Sequence, residues 1–418
     1  MRLYKKTIGY GIYTVLAVST GLLVASGVTK TAEFAYAELG KPGQAFFASI
    51  DFPTLHFALP SFKKNSDLLA ESITYTRQAE TAPTEDTKQS GVNFSTQASD
   101  DTIRIGWVGD ITPVVSTKME AGFAPFGELS ELLKLPDLMV GNLEGVITEN
   151  TVSKCKADTA NCFAFRGDIG FVDYLTNAGF DVMNMANNHA FDFGKASFTD
   201  TQNALQSKNI ASTGAPDQIS IVETKGVKVA FVGFAPNANT NPLLDAGHIR
   251  KTIADAKSQA DIVVAVMHAG AEGVSYLHVT DADEIYLNEN RGNTMAQAHV
   301  TIDAGADIVL GSGPHVLRGL ELYKGKMIAY SLGNFFASSN LSTRGILSLS
   351  GILMIDLDKD GTPKVATLVP VYLDTNGIPH VDPVATAIPL VNKLSREDFG
   401  ENALVISDDG IISIPHTQ

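Results

Sequence analysis

Six short apolar runs in this chain, each long enough for one strand, end directly in a carboxylate, an amide or an imidazole. Ile103–Val108 leads into Gly109-Asp110, Leu138–Val140 into Gly141-Asn142-Leu143-Glu144, and Val182–Met185 into Asn187-Asn188-His189 with Asp192 close behind. Further along, Ile262–Met267 leads into His268 and Glu272, Ile308–Leu310 into Gly311-Ser312-Gly313-Pro314-His315, and Met327–Leu332 into Gly333-Asn334. Helix-like segments lie between or beyond them, over Phe126–Lys134, Ile169–Ala178, Phe198–Lys208, Ala246–Ser258, Thr294–Ala304 and Ala387–Leu394. The alternation predicts an α/β domain over residues 102–418, a sheet covered by helices, with further strands at Val229–Phe234, Gly351–Leu357, Val365–Leu373 and Gly410–Ile414. In open α/β sheets ligands bind beyond the carboxyl ends of the strands, so residues remote in sequence converge there without any local spacing rule.

Taken singly, each of these residues has an ordinary explanation. Asp110 after a glycine can cap a helix, Glu144 can be a solvated loop charge, and His268 can be a core histidine with its hydrogen bonds met. Asn187-Asn188 can be a turn, and His315 after Pro314 can simply end a strand. Six such coincidences at one sheet edge are far less expected than one shared polar site. Carboxylate oxygens, amide carbonyls and neutral imidazoles together form a donor set that suits divalent transition metals.

Charge and the N-terminus narrow the partners. Asp and Glu outnumber Lys and Arg by 46 to 31, a formal net charge of −15, which argues against a surface that grips nucleic acid. The basic opening MRLYKK precedes an uncharged, largely apolar stretch from Thr7 to Thr29, 23 residues that as a helix would cross roughly 30 Å of hydrocarbon. Residues 1–29 therefore read as a signal anchor, a single membrane-spanning helix with Lys5 and Lys6 keeping the N-terminus inside. A cleaved signal peptide with an A-x-A site at Ala35-Tyr36-Ala37, releasing a secreted protein, is the alternative. Residues 30–101 carry scattered aromatics and then a polar tract from Arg77 to Asp101, and read as an extracytoplasmic linker, partly disordered. Export would place the chain in an oxidising compartment, where Cys155 and Cys162, its only cysteines, can close a small disulfide ring.

The strand-end residues also fall into ordered motifs. Gly109-Asp110, Gly141-Asn142-Leu143-Glu144-Gly145, Ala186-Asn187-Asn188-His189-Ala190-Phe191-Asp192-Phe193-Gly194, His268-Ala269-Gly270-Ala271-Glu272, Gly305-Ala306-Asp307-Ile308-Val309-Leu310-Gly311 before Pro314-His315-Val316-Leu317, and Tyr330-Ser331-Leu332-Gly333-Asn334-Phe335 resemble the capsule-synthesis CapA family. The resemblance implies a part in poly-γ-glutamate capsule biosynthesis and a calcineurin-like metallophosphatase fold, a four-layer αββα sandwich with a two-metal site. Carried over residue by residue, it implies Asp110 and His315 on a first metal, Glu144 as the bridging carboxylate, Asn188 as a further ligand and His268 on the second metal. His189 and Asp192 would be catalytic, His189 as general acid or oxyanion stabiliser. Asn142, Glu272, Arg318 and Asn334 would contact substrate or support the ligands, with Arg318 either pairing with an anionic group or forming a structural salt bridge. The ions would be manganese, zinc or iron, generating a nucleophile and neutralising charge on an oxyanion. The chain departs from the superfamily pattern at Thr112 and Ser312, where imidazoles are usual, and at Ala269, where a tryptophan is common.

Two functions are compatible with this pattern. One is an exported, membrane-anchored, metal-dependent hydrolase of capsule or cell-envelope polymer metabolism. The other is a non-catalytic accessory subunit of a capsule synthesis and export complex that holds anionic polymer or an ion. Either would have the membrane and the capsule synthesis or export proteins as partners.

Overall fold

The computed structural model describes residues 4–7, 14–18, 21–25, 33–36, 99–115, 124–156, 162–337 and 341–415, and the chain divides into two compact units, Met1–Leu69 and Ala70–Gln418. In the first unit the described stretches are strands: Tyr4–Thr7 pairs antiparallel with Glu33–Tyr36, and Thr14–Val18 with Gly21–Ala25. At these positions the backbone differs from the expected membrane helix over residues 1–29. Within these stretches β-branched Thr14, Val15, Val18 and Val24 favour extended chain, and Gly21 weakens a helix. Among the described residues no helix is long and apolar enough to cross a membrane. The remaining residues of the expected anchor, most of the linker and Ala37 of the A-x-A site lie outside the described residues.

The second unit is built on two sheets. In chain order the strands are β1 (Thr102–Ile111), β2 (Leu138–Leu143), β3 (Val182–Asn184), β4 (Ala211–Thr213), β5 (Ser220–Thr224), β6 (Val227–Phe234), β7 (Ile262–His268), β8 (Ile308–Ser312), β9 (Leu320–Tyr323), β10 (Lys326–Ala329), β11 (Asn334–Phe336), β12 (Leu349–Asp358), β13 (Pro363–Leu373), β14 (Pro379–Val381) and β15 (Ile411–Ser413). The helices are α1 (Ser130–Leu133), α2 (Phe171–Ala178), α3 (Gly194–Ser207), α4 (Ala246–Lys257), α5 (Thr294–Asp303) and α6 (Ala387–Phe399). One sheet runs β4-β3-β2-β1-β12-β13-β14, with β11 added to β1 and β15 to β13; the other runs β5-β6-β7-β8-β10-β9. The first four strands of one sheet are mutually parallel, as are β6, β7, β8 and β10 of the other.

Period-2 alternation sorts the side chains into three apolar layers. Ile103, Ile105 and Trp107 of β1, Val140 of β2, Val182 of β3, Val229 and Phe231 of β6, Val264 and Val266 of β7, and Ile308 and Leu310 of β8 share one core between the sheets. The residues between them face outward. Met139, Leu143 and Met183 meet Phe171 and Leu175 of α2 and Phe198 and Leu205 of α3, while Ala230, Val232, Val263, Ala265 and Val309 meet Ile249 and Ile253 of α4 and Ala298 and Ile302 of α5. The result is helix, sheet, sheet, helix, the four layers expected. Each fully buried large aliphatic or aromatic side chain contributes about 1.5–3 kcal/mol, so strands with two apolar faces end up central. Asp245 and Asn293 start α4 and α5 by accepting hydrogen bonds from His248 N and Ala296 N.

Candidate metal centre

The parity that builds the central core also builds the site. Continuing the inward-facing series by two residues leads from Val140 to Asn142, from Val182 to Asn184, from Val266 to His268 and from Leu310 to Ser312. Polar side chains thus replace apolar ones at the carboxyl ends of four strands, between the sheets. Asp110 arrives differently, after a register shift between Val108 and Asp110 against β2. A Cβ on Gly109 would lie 1.9 Å from the Gly333 carbonyl oxygen, so only glycine lets β1 approach this chain closely enough for Asp110 N to donate to Gly333 O at 3.0 Å. His315 adopts a left-handed backbone, φ 58°, at a cost of about 1–2 kcal/mol, and this turns its ring back onto Asp110.

An amide network orients the donors. Asn142 Nδ2 donates to Asp110 Oδ1 at 2.7 Å and lies 3.2 Å from His268 Nδ1, while its Oδ1 accepts from Asn184 Nδ2 at 2.8 Å. Asn187 Nδ2 donates to Leu143 O at 2.8 Å, and Ser312 Oγ lies 3.2 Å from His268 Nδ1. Gly313 N donates to Asp110 Oδ2 at 3.2 Å, and His315 Nδ1 lies 3.1 Å from the same oxygen.

One ligand atom from each of Asp110, Glu144 and His315 lies within 4.8 Å of the others. Glu144 is fully buried, and neither of its carboxylate oxygens has a hydrogen-bond partner. Around Glu144 Oε1 stand His315 Nε2 at 3.6 Å, His189 Nε2 at 3.8 Å and His268 Nε2 at 3.9 Å. His268 Nε2 and Asn188 Oδ1 are likewise buried and unpartnered. Buried polar atoms are nearly always satisfied, so the orphaned Glu144 oxygens with the orphaned His268 Nε2 at 3.9 Å fit a divalent cation. The charge distribution agrees. Burial pushes Glu144 well above the usual carboxylate range despite the nearby His315 imidazolium. Burial would raise Asp110 too, but its contacts with His268 and His315 hold it well below that range. Burial would lower His315, yet Glu144 and Asp110 together raise it to about 10. Asp110 is thus matched by its imidazoles, whereas the Glu144 charge is left uncompensated at the middle of the centre.

Beside this centre, His189 Nδ1 lies 2.7 Å from Asp192 Oδ2, and its ring packs against Phe165 at 4.1 Å between centroids. Burial lowers the proton affinity of His189, opposed by Asp192. Lys154 Nζ reaches Asp192 Oδ1 at 2.6 Å, and the Cys155–Cys162 disulfide closes the ring that follows it.

Asp110, Glu144, His189, Asp192, His268 and His315 are therefore brought together as the sequence motifs indicate, while Asn188, next to His189 in the chain, leaves a buried and unpartnered Oδ1. Glu272 stands 3.7 Å from His315 Nε2 and is held by Arg291 at 2.8 Å. Asn142 supports the ligands, donating to Asp110 and accepting from Asn184. Asn334, fully buried, pairs its backbone with that of Asp110 and leaves both side-chain polar atoms unpartnered. Of the two readings of Arg318, its contacts are those of the structural ion pair: it is 0 % exposed, its Nη atoms bind both oxygens of Glu284 at 2.9 and 2.6 Å, and Nε and Nη2 also donate to Tyr276 O and Ala271 O. Thr112 gives its hydroxyl to Phe336 O at 3.1 Å. Sequence reasoning missed Asn184, Lys154 and Arg291. Only Asn184 carried a signal, its inward parity two residues after Val182.

This arrangement defines a class: a layered α/β protein with a buried carboxylate–imidazole centre, suited to a divalent cation, where the carboxyl ends of two sheets meet. The chain belongs to the family described as bacterial capsule synthesis protein PGA_cap, whose model matches residues 104–339, more than half of it. It is 31% identical over 286 residues to the PGA biosynthesis protein CapA of Bacillus subtilis (strain 168), covering 63% of this chain and 70% of that one. It is 32% identical over 231 residues to the capsule biosynthesis protein CapA of Bacillus anthracis, covering 50% of this chain and 53% of that relative. A 5′-nucleotidase precursor from Thermus thermophilus superposes with TM-score 0.39 at 13% identity, covering 65% of this chain and 54% of that one.

Proposed function

We propose that this protein is a metal-dependent hydrolase of metallophosphatase type, acting in the biosynthesis of poly-γ-glutamate capsule or another cell-envelope polymer. The observation that carries the reading is Glu144: a fully buried carboxylate with both oxygens unpartnered, ringed by His189, His268 and His315. Asp110, Glu144 and His315 would hold one ion, and Asn188 and His268 would join Glu144 about a second. A divalent metal bound there would supply Lewis-acid polarisation of a phosphoryl or carbonyl oxygen. The protein's own groups do the rest. Asp192 fixes the His189 ring through Nδ1, which leaves Nε2 facing Glu144. Because burial lowers the basicity of His189, an imidazolium formed there gives up its proton readily, as protonation of a leaving group requires. Glu272, steadied by Arg291, stands at the edge of the centre where it can orient a substrate or His315.

A second reading is favoured by Thr112 and Ser312. The first turns its hydroxyl to Phe336 O and the second bonds to His268, so neither supplies a ring nitrogen. A ligand-poor centre suits a non-catalytic accessory subunit that holds an ion or anionic polymer beside the capsule synthesis or export proteins. For either reading we place the protein at the outer face of the cell membrane, attached through its basic-then-apolar N-terminus. The formed Cys155–Cys162 bond supports an oxidising compartment.

Elemental analysis of the full-length protein after reconstitution with manganese, zinc or iron, beside the Asp110→Ala/His268→Ala variant, tests this. Metal retained by the wild type and lost by the variant, with bis(p-nitrophenyl) phosphate turnover lost in His189→Ala, supports the hydrolase. Metal without turnover supports the accessory role, and no bound metal sinks both metal-based readings.

A further inference from the structure

Lys154 belongs to none of the strand-end motifs, yet it touches the interior of the site. Its Nζ lies 2.6 Å from Asp192 Oδ1, its backbone N donates to Asp192 O at 2.7 Å, and Nζ also donates to Asn188 O at 3.3 Å. From the other arm of the same loop, Phe165 N donates to Asp192 Oδ2 at 2.6 Å, while the Phe165 ring packs on His189. One loop thus holds the carboxylate that fixes His189 from two directions, by an ion pair at Oδ1 and a hydrogen bond at Oδ2. The Phe165 arm is anchored besides, Val146 N donating to Phe165 O at 3.1 Å and Arg166–Gly167 pairing with Val146–Ile147, whereas the Lys154 arm has little else to hold it there. Residues 151–156 have no helix or ladder, and Val152 and Phe163 are 76% and 55% exposed. A lysine that is itself 40% exposed gains little from an ion pair alone. What joins the two arms covalently is the Cys155–Cys162 bond, which shortens the free span between Lys154 and Phe165 and reduces the conformations that compete with this grip.

We propose that Lys154 is a positioning residue for the His189–Asp192 pair and that the Cys155–Cys162 disulfide keeps it in place. The inference deepens the hydrolase reading and rests on it where turnover is concerned. Lys154 balances the buried Asp192 charge and fixes the carboxylate orientation, so the ring of His189 points one way. Reduction by a dithiol, which yields two cysteine thiols and the cyclic disulfide of the reductant, would free the Lys154 arm from the anchored Phe165 arm and loosen the pair without touching any metal-binding side chain.

The test uses the full-length protein, with bis(p-nitrophenyl) phosphate as substrate and amide hydrogen exchange read by mass spectrometry. In Lys154→Met, kcat should fall about tenfold or more with KM unchanged, and Lys154→Arg should recover most of the loss. Cys155→Ser/Cys162→Ser should behave like dithiothreitol-treated wild type and be insensitive to dithiothreitol. Independently of turnover, the amides of Lys154 and Phe165, both bonded to Asp192, should lose protection in the double serine variant while those of β1 and β7 keep theirs. Unchanged protection in that variant, or unchanged kcat in Lys154→Met, overturns the proposal. If the wild type turns nothing over, the hydrolase reading falls by itself, and the exchange result alone decides the positioning role: lost protection supports it and retained protection refutes it.

Discussion

Glu144 shows the cost that the centre imposes on the fold. Its carboxylate is enclosed, both oxygens lack donors, and burial holds it well above its ordinary range. A carboxyl group whose folded pKa is raised favours folding only while protonated, so its contribution is present below the unfolded value near 4.5 and is lost as pH rises through the folded one. Glu144→Gln keeps the shape and removes the charge. The metal-free variant should be more stable than metal-free wild type at pH 8, by about 1–3 kcal/mol, with the gain shrinking toward pH 4. It should also bind manganese or zinc far more weakly. Denaturant melts in excess chelator at the two pH values check the first claim, and a stability loss at pH 8 would mean that Glu144 has partners in solution after all. At this scale the sequence was informative wherever a residue directly follows an apolar run, as Asp110, Glu144, His268 and His315 do. It was silent on Lys154 and Arg291, whose side chains matter through partners remote in sequence or in an irregular loop. It was ambiguous for Arg318, because a guanidinium reads alike whether its acid is a ligand or Glu284.

At the scale of elements, the carboxyl ends of β1, β2, β3, β7 and β8 carry the centre, and the chain between β7 and α5 lies over it. That crossover bears Glu272 and Arg291, and its base is clamped by Arg318, which reaches Glu284, Tyr276 O and Ala271 O from the segment after β8. Glu284 in turn accepts from Ala271 N and Thr294 Oγ1. The pair therefore orders a loop that has only the two-residue ribbon Ile285–Tyr286 with Glu289–Asn290 as regular structure. Removing one member of a buried pair leaves the other charged and unmatched, so Arg318→Met should cost about 3–5 kcal/mol. Arg318→Met/Glu284→Leu should recover a large part, since a buried pair is often replaced by apolar groups at little net cost. A double-mutant cycle on unfolding free energies measures this, and equal losses in the single and double variants would rule the clamp out. The long strands and the helices were readable to within a few residues because their apolar periodicity is strong. Shorter strands such as β4, β9 and β14, and the solvent-alternating β5, were not, because at three to five residues packing rather than pattern decides them.

For the whole molecule, the sequence pattern indicated sheets covered by helices, but the pairing of two sheets around a shared core came with the resemblance rather than with periodicity. An apolar run buried on both faces says that it is covered, not by what. The same limit applies to charge. A net −15 describes the surface field, whereas the centre is governed by a few buried groups that call for a cation. These facts conflict for one proposed ligand. Poly-γ-glutamate is itself an anionic chain, and a strongly acidic protein repels it at long range unless salt or a bound cation intervenes. If the polymer is held at this centre, a divalent ion must bridge polymer carboxylates and protein carboxylates. Binding of purified poly-γ-glutamate to full-length protein should then require manganese or zinc, disappear in excess chelator, and be lost in Asp110→Ala/His268→Ala even with metal present. Raising monovalent salt from about 0.05 to 0.5 M should weaken it only slightly, because screening removes long-range repulsion while it weakens the bridge. Polymer binding that survives chelation would place the contact elsewhere on the surface and detach the polymer from the metal centre.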